Sequence, residues 1–307
     1  MAIKKPEEMN FSGKNIIIIV SGLPGTGKTT LALSAPDVLL IDADEGMSRV
    51  KVEHRKDASI CSTYEDVLAD IEAANGHYKT IVIDTCGALI DLIKAWVAKD
   101  PKYCKRDGQI SLQGFGAVKS EFLRLSADLR HNFNVVYLFH ESKTKDGDDT
   151  FYDLVVEGST KTLVWQPADL GAHLHIMNGK RYLGFTPTAN YNAKSAYGIK
   201  GLIEVPELAD GDPNDFLTKL FNKVRENLDA ESKSLAPKAD MYKLAMDIGT
   251  GYINALTAAD QVAGCIEALG NIQHDLTSKK ELAAMLQKKL KALNIVKNKE
   301  TGEYEQK

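Results

Sequence analysis

Between residues 14 and 140 the chain alternates short aliphatic runs with longer stretches in which apolar side chains recur every three or four positions. The runs at 15–21, 38–42, 80–84 and 134–140 are dominated by Ile, Val and Leu, as in strands buried on both faces of a parallel sheet. The segments 28–34, 64–75, 88–99 and 115–131 fit helices, so the alternation predicts an α/β core with a mostly parallel sheet. After residue 140 the pattern changes to shorter strand-like pieces at 151–156, 172–177 and 180–185, the last two joined by an Asn178-Gly179 hairpin turn. A turn-rich stretch at 206–213 precedes a helix expected at 215–228. Residues 230–240 mix Ser, Lys, Ala and Pro without periodicity and read as a linker. Beyond it, 241–247, 258–269 and 276–293 read as helices, with Thr257 as an N-cap. The polar tail 297–307 is expected to be disordered. The predicted organisation is therefore a core over 1–229, a linker over 230–240 and a small C-terminal helical unit over 241–307. No internal repeat is visible.

At 307 residues, 44% hydrophobic and 26% charged, the chain has the material for a proper core. Its longest purely aliphatic run, residues 16–20, is far short of a membrane span, and the polar residues 1–10 lack an apolar signal core. Cys61, Cys86, Cys104 and Cys265 are scattered without a C-x-x-C pair, which argues against a disulfide framework and for a reducing, cytoplasmic setting with no membrane partner. A net charge of −4 means that any nucleic-acid contact must come from local basic patches.

The sharpest chemical signal is Gly22-Leu23-Pro24-Gly25-Thr26-Gly27-Lys28-Thr29, which satisfies G-x-x-x-x-G-K-[ST] between an aliphatic strand and a helix-compatible segment beginning Lys28-Thr29-Thr30. Glycines let such a loop turn its N–H groups inward around a phosphate, and the following helix adds its dipole. Gly22, Pro24, Gly25, Thr26, Gly27, Lys28, Thr29 and Thr30 are thus the expected nucleotide-binding residues. Lys28 would reach the β- and γ-phosphates and Thr29 would ligate Mg2+. The second requirement, an acid ending a neighbouring buried strand, is met by Asp84 after Thr80-Ile81-Val82-Ile83. Asp84 and Thr29 are the expected metal ligands.

Asp84 is followed by Thr85 and not by a second acid, yet a hydrolase needs a carboxylate to orient water. Asp42-Ala43-Asp44-Glu45 is the nearest supply, leaving Asp44 and Glu45 both open as the base. Asp84-Thr85-Cys86-Gly87 matches the D-x-x-G of GTPases, but residues 141–147 miss the spacing of a guanine reader, so ATP is favoured. His140 closes the strand 135–139, where a γ-phosphate sensor would sit or where a hydrogen-bonded surface histidine would equally fit.

GLPGTGKTT, LLIDADEG, TIVIDT, LQGFGAVKSEF and NVVYLFHE together resemble the RecA-like phage ATPases of the single-strand annealing and recombination group, whose AAA-type domain sits on a RecA fold. The resemblance covers about residues 15–230. It implies a RecA-like P-loop core, ATP bound between subunits of a ring or filament, a hydrolytic base at Asp44 by position with Glu45 open because the family more often carries Glu there, and His140 as sensor. It also implies single-stranded DNA contacts from loops at about 100–116 and 141–151, and a cation supplied by the next subunit. Lys180, Arg181 and Lys194 lie where that cation would be, Lys194 being preferred.

The first loop, with Lys99, Lys102, Tyr103, Lys105, Arg106 and Phe115, suits phosphate contacts and base stacking, or is a solvated basic loop. In the second, Lys143 and Lys145 are offset by Asp146, Asp148 and Asp149. The lysines at 279, 280, 288, 289 and 291 suit a solubilising face, and His173-Leu174-His175 could be half a metal site lacking a third ligand. The leading expectation is a DNA-stimulated ATPase acting in strand annealing or recombination. The alternatives are a small-molecule (nucleoside) kinase using Asp42 or Asp44 as base, and a nucleotide-gated adaptor or loader whose C-terminal helices bind the partner.

Overall fold

The structure, a computed structural model, describes residue 11 and residues 13–146, 149–157, 160–298 and 301–306. The expected polar start, residues 1–10, lies outside them. The chain divides into two compact units, one over Gly13–Asn227 and one containing Leu228–Lys307.

The larger unit runs β1 (Ile17–Gly22), α1 (Lys28–Ala32), β2 (Val38–Asp42), β3 (Asp57–Ile60), α2 (Tyr64–Ala74), β4 (Thr80–Asp84), α3 (Cys86–Val97), α4 (Leu112–Asn132), β5 (Asn134–Asp146), β6 (Asp149–Leu154), α5 (Thr160–Leu163), β7 (Leu170–Met177), β8 (Lys180–Gly184) and β9 (Leu202–Val205). Its strands form one sheet in the order β3-β2-β4-β5-β1-β7-β8-β9, with β6 paired to β5. Pairing is parallel from β3 through to β7 and antiparallel for β7–β8, β8–β9 and β5–β6. The mostly parallel α/β sheet is the one the hydrophobic runs predict.

Alternation explains the burial. Ile17, Ile19, Ile81, Ile83, Val135 and Tyr137 join a core with α2, α3 and α4, while Ile18 and Val20 are equally buried on the other face. The helices start where hydroxyl side chains cap them. Thr63 and Asp66 form a capping box on α2, Thr85 accepts from Ala88 N–H on α3, and Ser111 accepts from Gly114 N–H on α4. Asn178 and Gly179 both take positive φ, at 51° and 78°, as a two-residue hairpin turn requires.

Four expectations are corrected. First, β3 was not anticipated: Asp-Ala-Ser-Ile carries no aliphatic run because it is an edge strand with mostly exposed side chains. Second, β5 does not end at His140 but continues into a hairpin with β6, so the expected loop at 141–151 is largely a strand pair whose tip, residues 147–148, lies outside the described residues. Third, residues 230–240 are helical, within α6 (Phe216–Ala255), despite Pro237. Ala, Lys, Glu and Leu favour helix strongly enough to outweigh the one N–H that the proline lacks. Fourth, the tail expected to be disordered contributes β10 (Ile295–Lys297) and β11 (Tyr304–Gln306), which pair antiparallel, while residues 299–300 and 307 lie outside the described set.

The second unit contains α7 (Val262–Gly270) and α8 (Ser278–Ala292), packed with the end of α6 around Ile253, Val262, Leu282 and Ile295. Thr257 does not cap as expected. Its N–H and hydroxyl both donate to the Gln261 side chain, and Ala258 precedes the turn. No helix among the described residues is long and apolar enough to cross a membrane.

Ile19 is fully buried at the centre of the sheet, so Ile19→Ala should cost about 2–5 kcal/mol of unfolding free energy. Urea denaturation checks this, and a loss below about 1 kcal/mol would contradict the core assignment.

Candidate active site

Parallel strands end on one edge of a sheet, and four such ends carry the polar residues that the sequence singled out. β1 delivers the loop at Gly22, β2 delivers Asp42 and the Asp44 turn, β4 delivers Asp84 and β5 delivers His140. The β5 strand lies between β1 and β4, and His140 stands in register with Gly22. Pro24, Gly25, Gly27, Lys28, Thr29, Thr30, Asp44, Arg49, Asp84 and His140 line one cleft of about 340 Å³.

Gly27 carries φ of 87°, a left-handed conformation that any side chain would strain, at the turn from loop into α1. Lys28 folds back into the loop and donates to the carbonyls of Gly22 and Leu23, each at 2.9 Å. The Thr26 hydroxyl donates to Leu23 O at 2.9 Å and braces the bend. Burial pushes the Lys28 ammonium below its ordinary range, opposed by the carboxylates of Asp84, Glu141 and Asp44.

The Thr29 hydroxyl donates to Asp84 Oδ2 at 2.6 Å. A hydroxyl from the first turn of α1 and a carboxylate ending β4 already converge, a donor set suited to a hard divalent cation. The residues fit Mg2+. Asp84 is 3% exposed, and its carboxyl is held above the usual carboxylate range, first by burial and then by Asp42 and Asp44, against the Thr29 hydrogen bond and Lys28.

The acidic turn resolves into two roles. Asp42 is buried and accepts from the N–H groups of Gly46 at 2.7 Å and Met47 at 2.9 Å, so it shapes the turn and is not free to act as a base. Gly46 is needed there, since a Cβ would sit 2.6 Å from Asp84 Oδ2. Asp44 lines the cleft, with Oδ2 3.2 Å from Arg49 Nη2 and 3.6 Å from His140 Nε2. Glu45 is exposed and does not line the cleft. His140 keeps a buried Nδ1 with no partner among the described residues.

Lys194 is not brought to the cleft. Its ammonium donates to the carbonyls of Ala168 at 2.5 Å and Trp165 at 3.4 Å, and its backbone bridges Gly171, so it closes its own fold. Lys180 pairs with Glu204 at 2.8 Å. The His173–His175 half site is not a metal centre: the rings stack at 5.1 Å, and no metal-holding group of three or more such residues occurs among the described residues.

What the sequence reading missed is Glu141. It is 4% exposed, and His173 Nδ1 lies 3.0 Å from its Oε1 and 2.8 Å from its Oε2, joining β5 to β7 across the end of the phosphate-loop strand. Tyr191 stacks on His173 at 4.3 Å and Tyr152 of β6 leans on it at 4.9 Å. An acid directly after an aliphatic strand and a histidine at alternate positions were the available signals; only topology pairs them.

Because Asp84 is a buried carboxylate with a raised pKa, Asp84→Asn should stabilise the nucleotide-free protein by about 1 kcal/mol, or roughly 2–4 °C in Tm, while weakening Mg2+-dependent nucleotide binding. The folded state holds this proton more tightly than the unfolded chain, so the group's contribution falls as pH rises through the raised value. The Tm gap between variant and wild type should therefore narrow on acidification. Calorimetry across pH checks it, and a gap independent of pH would contradict it.

The AAA domain family represented by AAA_24 matches residues 14–197. Among solved structures, the flagellar accessory protein FlaH from Methanocaldococcus jannaschii matches at 13% identity, covering 64% of this chain and 91% of its own, with a TM-score of 0.32. No curated protein matches. The matched span holds the phosphate loop, both acid-bearing strands and the strand ending in His140, and the chain belongs to this AAA domain family of P-loop ATPases.

Proposed function

We propose that this protein hydrolyses ATP and does so on single-stranded DNA, in strand annealing or recombination, as a homo-oligomeric ring or filament. The observation that carries the hydrolytic reading is the 2.6 Å Thr29–Asp84 contact in the same cleft as Asp44 and His140. Lys28 exchanges its two loop carbonyls for the β- and γ-phosphate oxygens. Asp44 accepts a proton from the attacking water as its oxygen bonds to the γ-phosphorus and the bond to the bridging oxygen breaks, yielding ADP and phosphate. Held by Thr29 and Asp84, Mg2+ would supply charge neutralisation at the phosphates. His140, 3.6 Å from Asp44 and level with Gly22, reports the state of the γ-phosphate.

The DNA reading rests on the sequence resemblance and on residues 100–116. Lys105 and Arg106 are exposed there, Lys102 lies over the Tyr103 ring at 4.6 Å, and Leu112 is 89% exposed. Lys99 pairs with Glu65 in the first turn of α2, which follows β3, so this segment begins on the edge of the sheet that bears the phosphate loop. A second reading, a small-molecule kinase, is favoured by one feature. A cleft of about 560 Å³ shares Asp44 and His140 with the nucleotide cleft and is lined by Lys94, Ser142 and Lys161, which leaves room for an acceptor hydroxyl.

Steady-state turnover with and without single-stranded DNA tests both. DNA should stimulate phosphate release at low salt, less so as salt rises. Lys28→Ala should abolish turnover, and Asp44→Asn should lower kcat by about 10²–10⁴-fold. Turnover indifferent to DNA at low salt would remove the DNA reading, and phosphate passed to a nucleoside without free phosphate would favour the kinase.

A further inference from the structure

β1 gives way to the phosphate loop at Gly22, and that residue stands in a slot between two strands. His140 of β5 pairs with it on one side. On the other side the backbone of β7 closes so tightly that a Cβ added to Gly22 would sit 2.6 Å from Leu174 O. The residues next in sequence to these two walls, Glu141 and His173, meet across the strand end. His173 Nδ1 lies 3.0 Å from Glu141 Oε1 and 2.8 Å from Oε2, with side-chain exposures of 3% and 2%. The imidazole is held in orientation, since Tyr191 stacks on it at 4.3 Å and His175 at 5.1 Å, and only a glycine at 184 leaves room for the Tyr191 ring.

Stability does not call for this pair. The interior of the sheet is otherwise held by aliphatic side chains, and a buried ion pair contributes no more than well-packed apolar groups of the same volume. What a carboxylate and an imidazole add is direction: their hydrogen bond has a narrow range of length and angle, where apolar contacts tolerate sliding. The neighbouring groups are the ones that need such precision. Gly22 O accepts from Lys28 Nζ at 2.9 Å, and His140 Nε2 lies 3.6 Å from Asp44 Oδ2. Glu141 also stands with Asp84 and Asp44 among the carboxylates whose charge favours the Lys28 ammonium against burial. Of those three it is the one that the metal and water chemistry above leaves unused.

Resting on the hydrolytic reading above, we infer that Glu141 and His173 are a positioning pair for ATP hydrolysis, fixing His140 and the root of the phosphate loop in register across β1. They act through the residues beside them, His140 and Leu174, between which Gly22 is seated. Lys28 and His140 are thereby presented to the γ-phosphate at a fixed separation.

ATP turnover by full-length variants, with Tm measured alongside, separates positioning from packing. Glu141→Leu/His173→Phe replaces the pair with apolar groups and keeps a ring against Tyr191, so Tm should equal or exceed that of the wild type. Its kcat should nevertheless fall about tenfold or more, with KM for ATP within about threefold. Glu141→Gln still accepts from Nδ1, and His173→Asn still offers a donor; each should recover kcat to within about threefold of wild type. A folded double variant with kcat within about twofold of wild type overturns the positioning pair and leaves the hydrolytic reading intact. So does a Glu141→Gln or His173→Asn protein that is folded yet about tenfold slow, a result that stands even where the double variant fails to fold. A wild type without turnover overturns both.

Discussion

A carboxylate buried at the end of a parallel strand cannot remain without partners, and the arrangement of this protein follows from how Asp84 is accommodated. Burial raises its proton affinity, Asp42 and Asp44 raise it further, and the Thr29 hydroxyl and the Lys28 ammonium oppose them. The site is a cluster of like charges held together by one lysine, one hydroxyl and the N–H groups of a turn. Such a cluster is suited to a divalent cation, which relieves the repulsion among the carboxylates, and the cation together with Lys28 offsets the charge of a polyphosphate.

The parallel sheet is what makes the cluster possible. Strands that run in one direction bring residues 22, 42, 84 and 140 to a single edge, although they are far apart in sequence. The inner strands are aliphatic on both faces, which leaves polar chemistry only at their ends. Glu141 and His173 extend the same logic sideways, pairing across the end of β1 and bringing the root of the β5–β6 hairpin, through Tyr152, against the strand beside the phosphate loop. Glu141 also acts electrostatically on Lys28.

Division of labour around the loop follows from its polarity. On the side of Asp84 the groups are charged and suited to the terminal phosphate. On the side of Arg181, Val205, Pro206, Leu208 and Phe216 stand beside the polar Thr30, Asn214 and Asp215. Away from the loop, Lys194 donates to the carbonyls of Trp165 and Ala168 and its backbone bridges Gly171 of β7.

Local pattern alone determined the inner strands, the capped helices and the phosphate loop, because aliphatic runs, Ser and Thr caps and glycine spacing act over a few residues. Asp84 was legible for the same reason, as the acid that ends a buried run. What only the tertiary structure decided depends on groups distant in sequence. Asp42 and Asp44, two residues apart, take opposite roles because one faces the N–H groups of its own turn and the other the cleft. Glu141 becomes a buried partner only where β7 brings His173. The edge strand β3 and the helix through residues 230–240 escaped notice because exposed strands carry no hydrophobic period, and because a proline outweighs its surroundings in a local reading but not in a helix already nucleated on both sides.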